Sequence, residues 1–163
     1  KLLLGLYGPQ QGTVALMGQR AGSLPEEEKR SLYGCVEQEF SPVPGTVGDQ
    51  VTLGDGTVTP DQTDRALELV GLQEAVDRLP QGKDTPMADG LFSQGELQLL
   101  NIARAVAKEP RLLLLDEITA NLDSQTEEKV LKALERASQG RSVLSISHRF
   151  SRMMEGQRII RMG

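Results

Sequence analysis

Leu112-Leu113-Leu114-Leu115-Asp116-Glu117 puts four aliphatic side chains in a row and closes them with two carboxylates. Such a run, set off by Pro110 upstream, reads as a strand buried on both faces. Downstream, Ser124-x-x-Glu127 has the form of a capping box, and it opens a helix with Val130, Leu131, Leu134 and Ala137 on one face. Gly140 ends that helix, 142–147 (Ser-Val-Leu-Ser-Ile-Ser) is a second strand, and 158–162 is the last. Strand, helix, strand in this order predicts parallel pairing through right-handed crossovers. Upstream, Ser93-Gln94-Gly95-Glu96 is another capping box, heading a helix that runs to about Lys108 with Leu99, Leu100, Ile102, Ala103 and Val106 on its apolar face. Thr59-Pro60-Asp61-Gln62 opens a further helix that Gly71 stops, and 73–79 forms a shorter one. Earlier still, 13–17 and 31–38 read as strands, 41–56 as loop with short elements, and 1–7 as the end of a helix.

The chain has 163 residues, of which 38% are hydrophobic, and this is the size and composition of one globular domain. Eighteen basic against 23 acidic side chains give a net charge of −5, which argues against autonomous nucleic-acid binding. A single cysteine, Cys35, excludes an intrachain disulfide. No apolar run approaches the roughly 20 residues of a membrane span.

In open α/β sheets, ligands sit beyond the carboxyl ends of the strands. Three strands here run into polar, reactive side chains: Asp116-Glu117 after 112–115, His148 after 142–147, and Gln38 after the strand through Val36. Together they fit metal-assisted attack of water on a phosphate. Asp116 offers a hard oxygen donor to Mg²⁺, directly or through water, Glu117 offers a general base, His148 offers a contact to the transferred phosphate, and Gln38 offers a contact to the metal or to the attacking water. Taken one at a time, each has a plainer reading: a solvated strand end, a structural histidine, a helix cap.

The order of the pieces is more specific than any one of them. Phe92-Ser93-Gln94-Gly95-Glu96, Ile102-Ala103-Arg104-Ala105, Leu112 to Glu117, Asn121-Leu122-Asp123 and Ser147-His148-Arg149 follow one another as in the ATP-binding cassette (ABC) ATPases, which nearly the whole chain resembles. Val36-Glu37-Gln38 resembles the Q-loop, and Gly45-Thr46-Val47 and Gly82-Lys83-Asp84-Thr85 resemble flanking segments of exporter-type members. The resemblance implies a P-loop NTPase-like α/β core with a mostly parallel sheet and an inserted helical subdomain: core residues 1–42, helical residues 43–110 with the signature motif at their end, and core residues 111–163. It implies ATP and Mg²⁺ as ligands, Asp116 as the Walker B aspartate, Glu117 as the catalytic glutamate, Gln38 and His148 as the Q-loop and switch residues, and Ser93, Gln94, Gly95 and Glu96 as signature positions. Asp123 closes the D-loop at the interface. The implied partners are a second ABC ATPase domain and the transmembrane domains of a transporter, with this domain on the cytoplasmic side of the membrane.

Several residues depart from the family pattern. No G-x-x-x-x-G-K-[ST] phosphate cradle is present: Gly82-Lys83 is followed by Asp84, and Asp77 stands where the first glycine belongs. The chain therefore reads as an N-terminally truncated fragment, or as part of a longer chain, with an incomplete core, inactive alone, whose missing strand the resemblance places beside 112–115. Phe92, Gln94 and Glu96 replace Leu, Gly and Gln of the usual signature, and Ala120-Asn121 replaces Ser-Ala. Glu96 strengthens the helix as a capping residue, but its charge repels a phosphate. The alternative reading is a catalytically impaired regulatory ABC domain in a heterodimeric transporter.

Overall fold

The computed structural model describes residues 7–16, 18–116, 118 and 122–146. The expected helix end in 1–6, the strand at 158–162, Glu117 and His148 lie outside the described residues. The first described element is a hairpin, β1 (Ala15–Leu16) against β2 (Gln19–Arg20), turned at Gly18 with φ 82°. Then come α1 (Glu26–Leu32) and β3 (Tyr33–Val36), four helices, namely α2 (Val47–Thr52), α3 (Pro60–Val70), α4 (Gln73–Asp77) and α5 (Gln94–Val106), and finally β4 (Leu112–Asp116), α6 (Ser124–Ser138) and β5 (Ser142–Ile146).

The main sheet is parallel, in the order β3-β4-β5, with Val36 opposite Leu115 and Asp116 opposite Ile146. Both crossovers carry helices, as parallel pairing demands. Because β4 has a neighbour along each edge, no further strand can pair with it. This corrects the expectation of a missing strand beside 112–115: a strand can join this sheet only at β3 or β5.

The side chains of β4 alternate between two covers. Leu113 and Leu115 enter the main core with α2 to α6, while Leu112 packs with Leu16, Leu24 and Tyr33 under the hairpin. The α5 helix is the hub and touches α2, α3, α6 and β3. Its Leu100 and Ile102 are fully buried, each removing apolar surface worth roughly 1.5–3 kcal/mol. The helix lies so close to β3 that a Cβ at Gly34 would overlap the Ala105 carbonyl oxygen and come within 3.1 Å of Pro110 Cγ.

One helix and one cap depart from the sequence reading, while α2 is one of the short elements expected in 41–56. The segment 41–56 contains α2, started by a capping box in which Thr46 accepts from the Asp49 amide and Asp49 from the Thr46 amide. The stretch before Tyr33 is helical, because the charged run 26–30 has no strand alternation and Pro25 precedes its first turn. The cap of α6 is Asp123, whose carboxylate takes the amides of Gln125 and Thr126, so Ser124 is the first helical residue and Ser124-x-x-Glu127 is not a capping box. The Ser93/Glu96 box forms as expected, and Thr59 opens α3 as expected, with Gln62 completing a capping box. Gly71 ends α3 at φ 78°, with the Leu72 amide donating back to the Leu67 carbonyl at 2.9 Å.

Replacing Gly34 by Ala forces α5 away from the sheet and is expected to lower stability by about 1–3 kcal/mol. Urea denaturation checks it, and an unchanged midpoint would mean that α5 does not rest on β3 at Ala105.

Candidate functional site

The register of the sheet brings the ends of β3 and β4 together. Asp116 is the last residue of β4 and is exposed, one position beyond the Val36–Leu115 pair. Glu37 and Gln38, also exposed, continue from the same end of β3. Glu37 and Asp116 both raise the Cys35 thiol, after burial as the larger cause, to about 11. Asp116 and Gln38 supply one carboxylate and one amide, hard oxygen donors of the kind that would hold a Mg²⁺ ion. No group of three or more His, Cys, Asp and Glu able to hold a metal occurs among the described residues.

The helix α5 fixes the segment that carries Gln38. Gln98, which is buried, donates from Nε2 to the Gln38 carbonyl at 2.6 Å. Buried Asn101 donates from Nδ2 to the Glu37 carbonyl at 2.8 Å and to Gln98 Oε1 at 3.3 Å. Arg104, one turn on, donates from Nε to the Gln50 carbonyl at 2.6 Å and from Nη1 to the Ser41 carbonyl at 3.1 Å, with its guanidinium 4.4 Å from the centre of the Phe40 ring. The Gln50 side chain in turn grips Val43, accepting from its amide and donating to its carbonyl at 2.8 Å each. Gln98, Asn101 and Gln50 were not among the residues expected to matter. Their signal was present as polar side chains at buried helical positions.

The signature residues sit at the N-terminus of α5. The Glu96 carboxylate accepts from the Ser93 amide at 2.8 Å and from the Ser93 hydroxyl at 2.7 Å, and Ser93 Oγ accepts from the Glu96 amide at 3.3 Å. Ser93 and Gln94 are exposed and Gly95 is buried, while Phe92 fills the core position expected of an apolar replacement. This turn abuts the first turn of α6, where a Cβ at Gly95 would overlap the Thr126 methyl. Asp123 is exposed and is engaged by its own helix: it accepts from the Thr126 hydroxyl at 2.5 Å, the Thr126 amide at 3.1 Å and the Gln125 amide at 3.0 Å. The expected site residues thus fall into two described groups, Gln38 with Asp116 at the strand ends and Ser93 to Glu96 with Asp123 at two helix starts. α5 links them, because it bears Ser93 at its cap and Gln98 on the Gln38 carbonyl.

The profile of the family described as "ABC transporter" matches residues 1–120. The chain belongs to the ABC transporter family. This ABC chain is 36% identical over 161 residues to the probable multidrug resistance ABC transporter ATP-binding/permease protein YheH of Bacillus subtilis, an alignment covering 98% of the chain and 24% of that protein. It is 35% identical over 162 residues to the human mitochondrial iron-sulfur clusters transporter ABCB7, covering 98% of the chain and 22% of that protein. Among solved structures, that of a bacterial Atm1-family ABC exporter with ATP bound matches with a TM-score of 0.76 and 32% identity, over 92% of the chain and 27% of that protein. The chain spans about a quarter of the length of these relatives. The mixed α/β architecture with a parallel sheet matches part of the core of an ABC exporter's nucleotide-binding domain. No helix among the described residues is long and apolar enough to cross a membrane.

The hydroxyl and then the amide of Thr126 hold the Asp123 carboxyl below the usual carboxylate range, and the amide and then the hydroxyl of Thr46 do the same for Asp49. A lowered folded pKa means that the stabilisation is complete above the unfolded value of roughly 3.9 and is lost as pH falls below it toward the folded value. The urea midpoint is expected to fall from about pH 5 to pH 2. Asp123→Asn, which keeps a good N-cap, is expected to flatten part of that slope, and an unchanged slope would detach Asp123 from it.

Proposed function

We propose that this chain is the ATP-hydrolysing part of an exporter-type ABC transporter, working against a second ABC ATPase domain on the cytoplasmic side of a membrane and driving attached transmembrane domains. The observation that supports it is the sheet register, which sends the segments bearing Gln38 and Asp116 out of the same end of adjacent parallel strands. Glu117 follows Asp116 directly, and His148 follows two residues after Ile146, the last residue of the third parallel strand.

In this reading Asp116 and Gln38 hold Mg²⁺, which when bound offsets the negative charge of the phosphates. Glu117 accepts a proton as water oxygen bonds to the γ-phosphorus and the bond to the ADP oxygen breaks, and His148 donates a hydrogen bond to the transferred phosphate. Ser93 and Gly95 present the N-terminus of α5 to the γ-phosphate held by the partner domain. We read 43–110 as the helical part and the flanking residues as core. Because the chain holds no G-x-x-x-x-G-K-[ST] stretch, the phosphate cradle has to be supplied. In calorimetry the chain alone is expected to bind no MgATP. Joined behind a cradle-bearing segment it is expected to hydrolyse ATP, and Glu117→Gln is expected to cut the rate by roughly 10²–10⁴-fold. An unchanged rate would remove Glu117 from its role.

A second reading, a catalytically impaired regulatory domain, draws on Glu96. Its carboxylate occupies the Ser93 amide and hydroxyl, the donors that a partner's phosphate would use. Glu96→Gln keeps the capping box and removes the charge. A rise in the hydrolysis rate at the partner's site by about tenfold or more, the effect of roughly 1.4 kcal/mol, favours the impaired reading, and an unchanged rate favours the competent one.

A further inference from the structure

We propose that Thr126 is a positioning residue that fixes the Ser93–Gly95 turn relative to Asp123, and that residue 95 is a glycine because of it. The backbone at 95 makes no demand for glycine: it is the second residue of α5 and does not lie in the left-handed region. What excludes a side chain is the Thr126 methyl, whose carbon takes the space of a Cβ at 95, with Thr126 Cβ 3.6 Å from that point. The other branch of the same side chain, its hydroxyl, donates to Asp123 Oδ2 at 2.5 Å, while Asp123 Oδ1 takes the first amides of α6.

A β-branched side chain is stiff about its Cα–Cβ bond, so methyl and hydroxyl move together. Rotating the methyl away from residue 95 lifts the hydroxyl off Asp123. Packing at 95 and capping at 123 are then one rotamer choice made by one residue. The consequence for hydrolysis rests on the functional reading above, in which both turns face the partner domain and Thr126 sets their spacing.

The test uses this chain and no nucleotide, so a failure to hydrolyse ATP would overturn that reading and leave the present proposal standing. Gly95→Ala is expected to lower Tm by about 5 °C and to speed amide exchange at Gln125 and Thr126, on the other helix. Thr126→Ser drops the methyl and keeps the hydroxyl, so Gly95→Ala/Thr126→Ser is expected to regain the slow exchange and to lie within about 1 °C of Thr126→Ser alone. Thr126→Val keeps the bulk and loses the hydroxyl, and Gly95→Ala in that background is expected to remain unrescued. An equal Tm drop in the Thr and Ser backgrounds, or exchange at 125–126 indifferent to residue 95, overturns the proposal. Should Gly95→Ala not fold, a folded, protected double variant supports the proposal and an unfolded one overturns it.

Discussion

A loop that leaves a buried strand must find partners for its carbonyl groups, and here one helix supplies them. Gln98, Asn101 and Arg104 take up the carbonyls of Glu37, Gln38, Ser41 and Gln50. Three polar side chains, spaced three apart, thus lie on one stripe of α5. The cost of burying an amide without a partner is what makes the arrangement specific: any shift of α5 against the loop leaves these donors and acceptors unmatched. Burial lowers the basicity of Arg104 and Glu37 acts in the opposite sense; as an arginine it stays a cation, and its guanidinium lies over the Phe40 ring.

From that contact the rest of the layout follows. α5 cannot move without carrying both its Ser93 cap and, little more than one turn further on, the Gln38 segment held by Gln98, and Gly34 lets it settle directly on β3. A second anchor lies at the far end of the helix, where Lys108 pairs with Asp55 at 2.5 Å, both largely shielded, closing the loop between α2 and α3 over the helix terminus.

Much of this was legible in the chain. The run 112–115, alternately covered from two sides, and the boxes at Thr59 and Ser93 carry signals that later packing does not override. Less was legible where two local signals compete. At Asp123-Ser124 both residues are good caps, and Asp123 wins because its carboxylate reaches two amides and the Thr126 hydroxyl at once. At α2 the Thr46/Asp49 box was readable, but six residues flanked by Gly and Pro give no periodicity to confirm it. The buried polar stripe of α5 was hidden for a different reason: polarity at Gln98 and Asn101 looks like an exposed face until the loop they serve is in place.

The pairing of β3 with β4 joins Tyr33 to Leu112 and encloses four helices between them. Those helices are stabilised by neighbours close in the chain, whereas the sheet has to wait for a long loop to close, at an entropic cost that grows with its length. During synthesis α2 to α5 would emerge before β4 exists, exposing the faces of Leu67, Leu100 and Ile102 that the finished core hides. Until the distant strand arrives, those apolar faces stay open to association with other chains, and the finished core hides the surface that has waited longest for its cover.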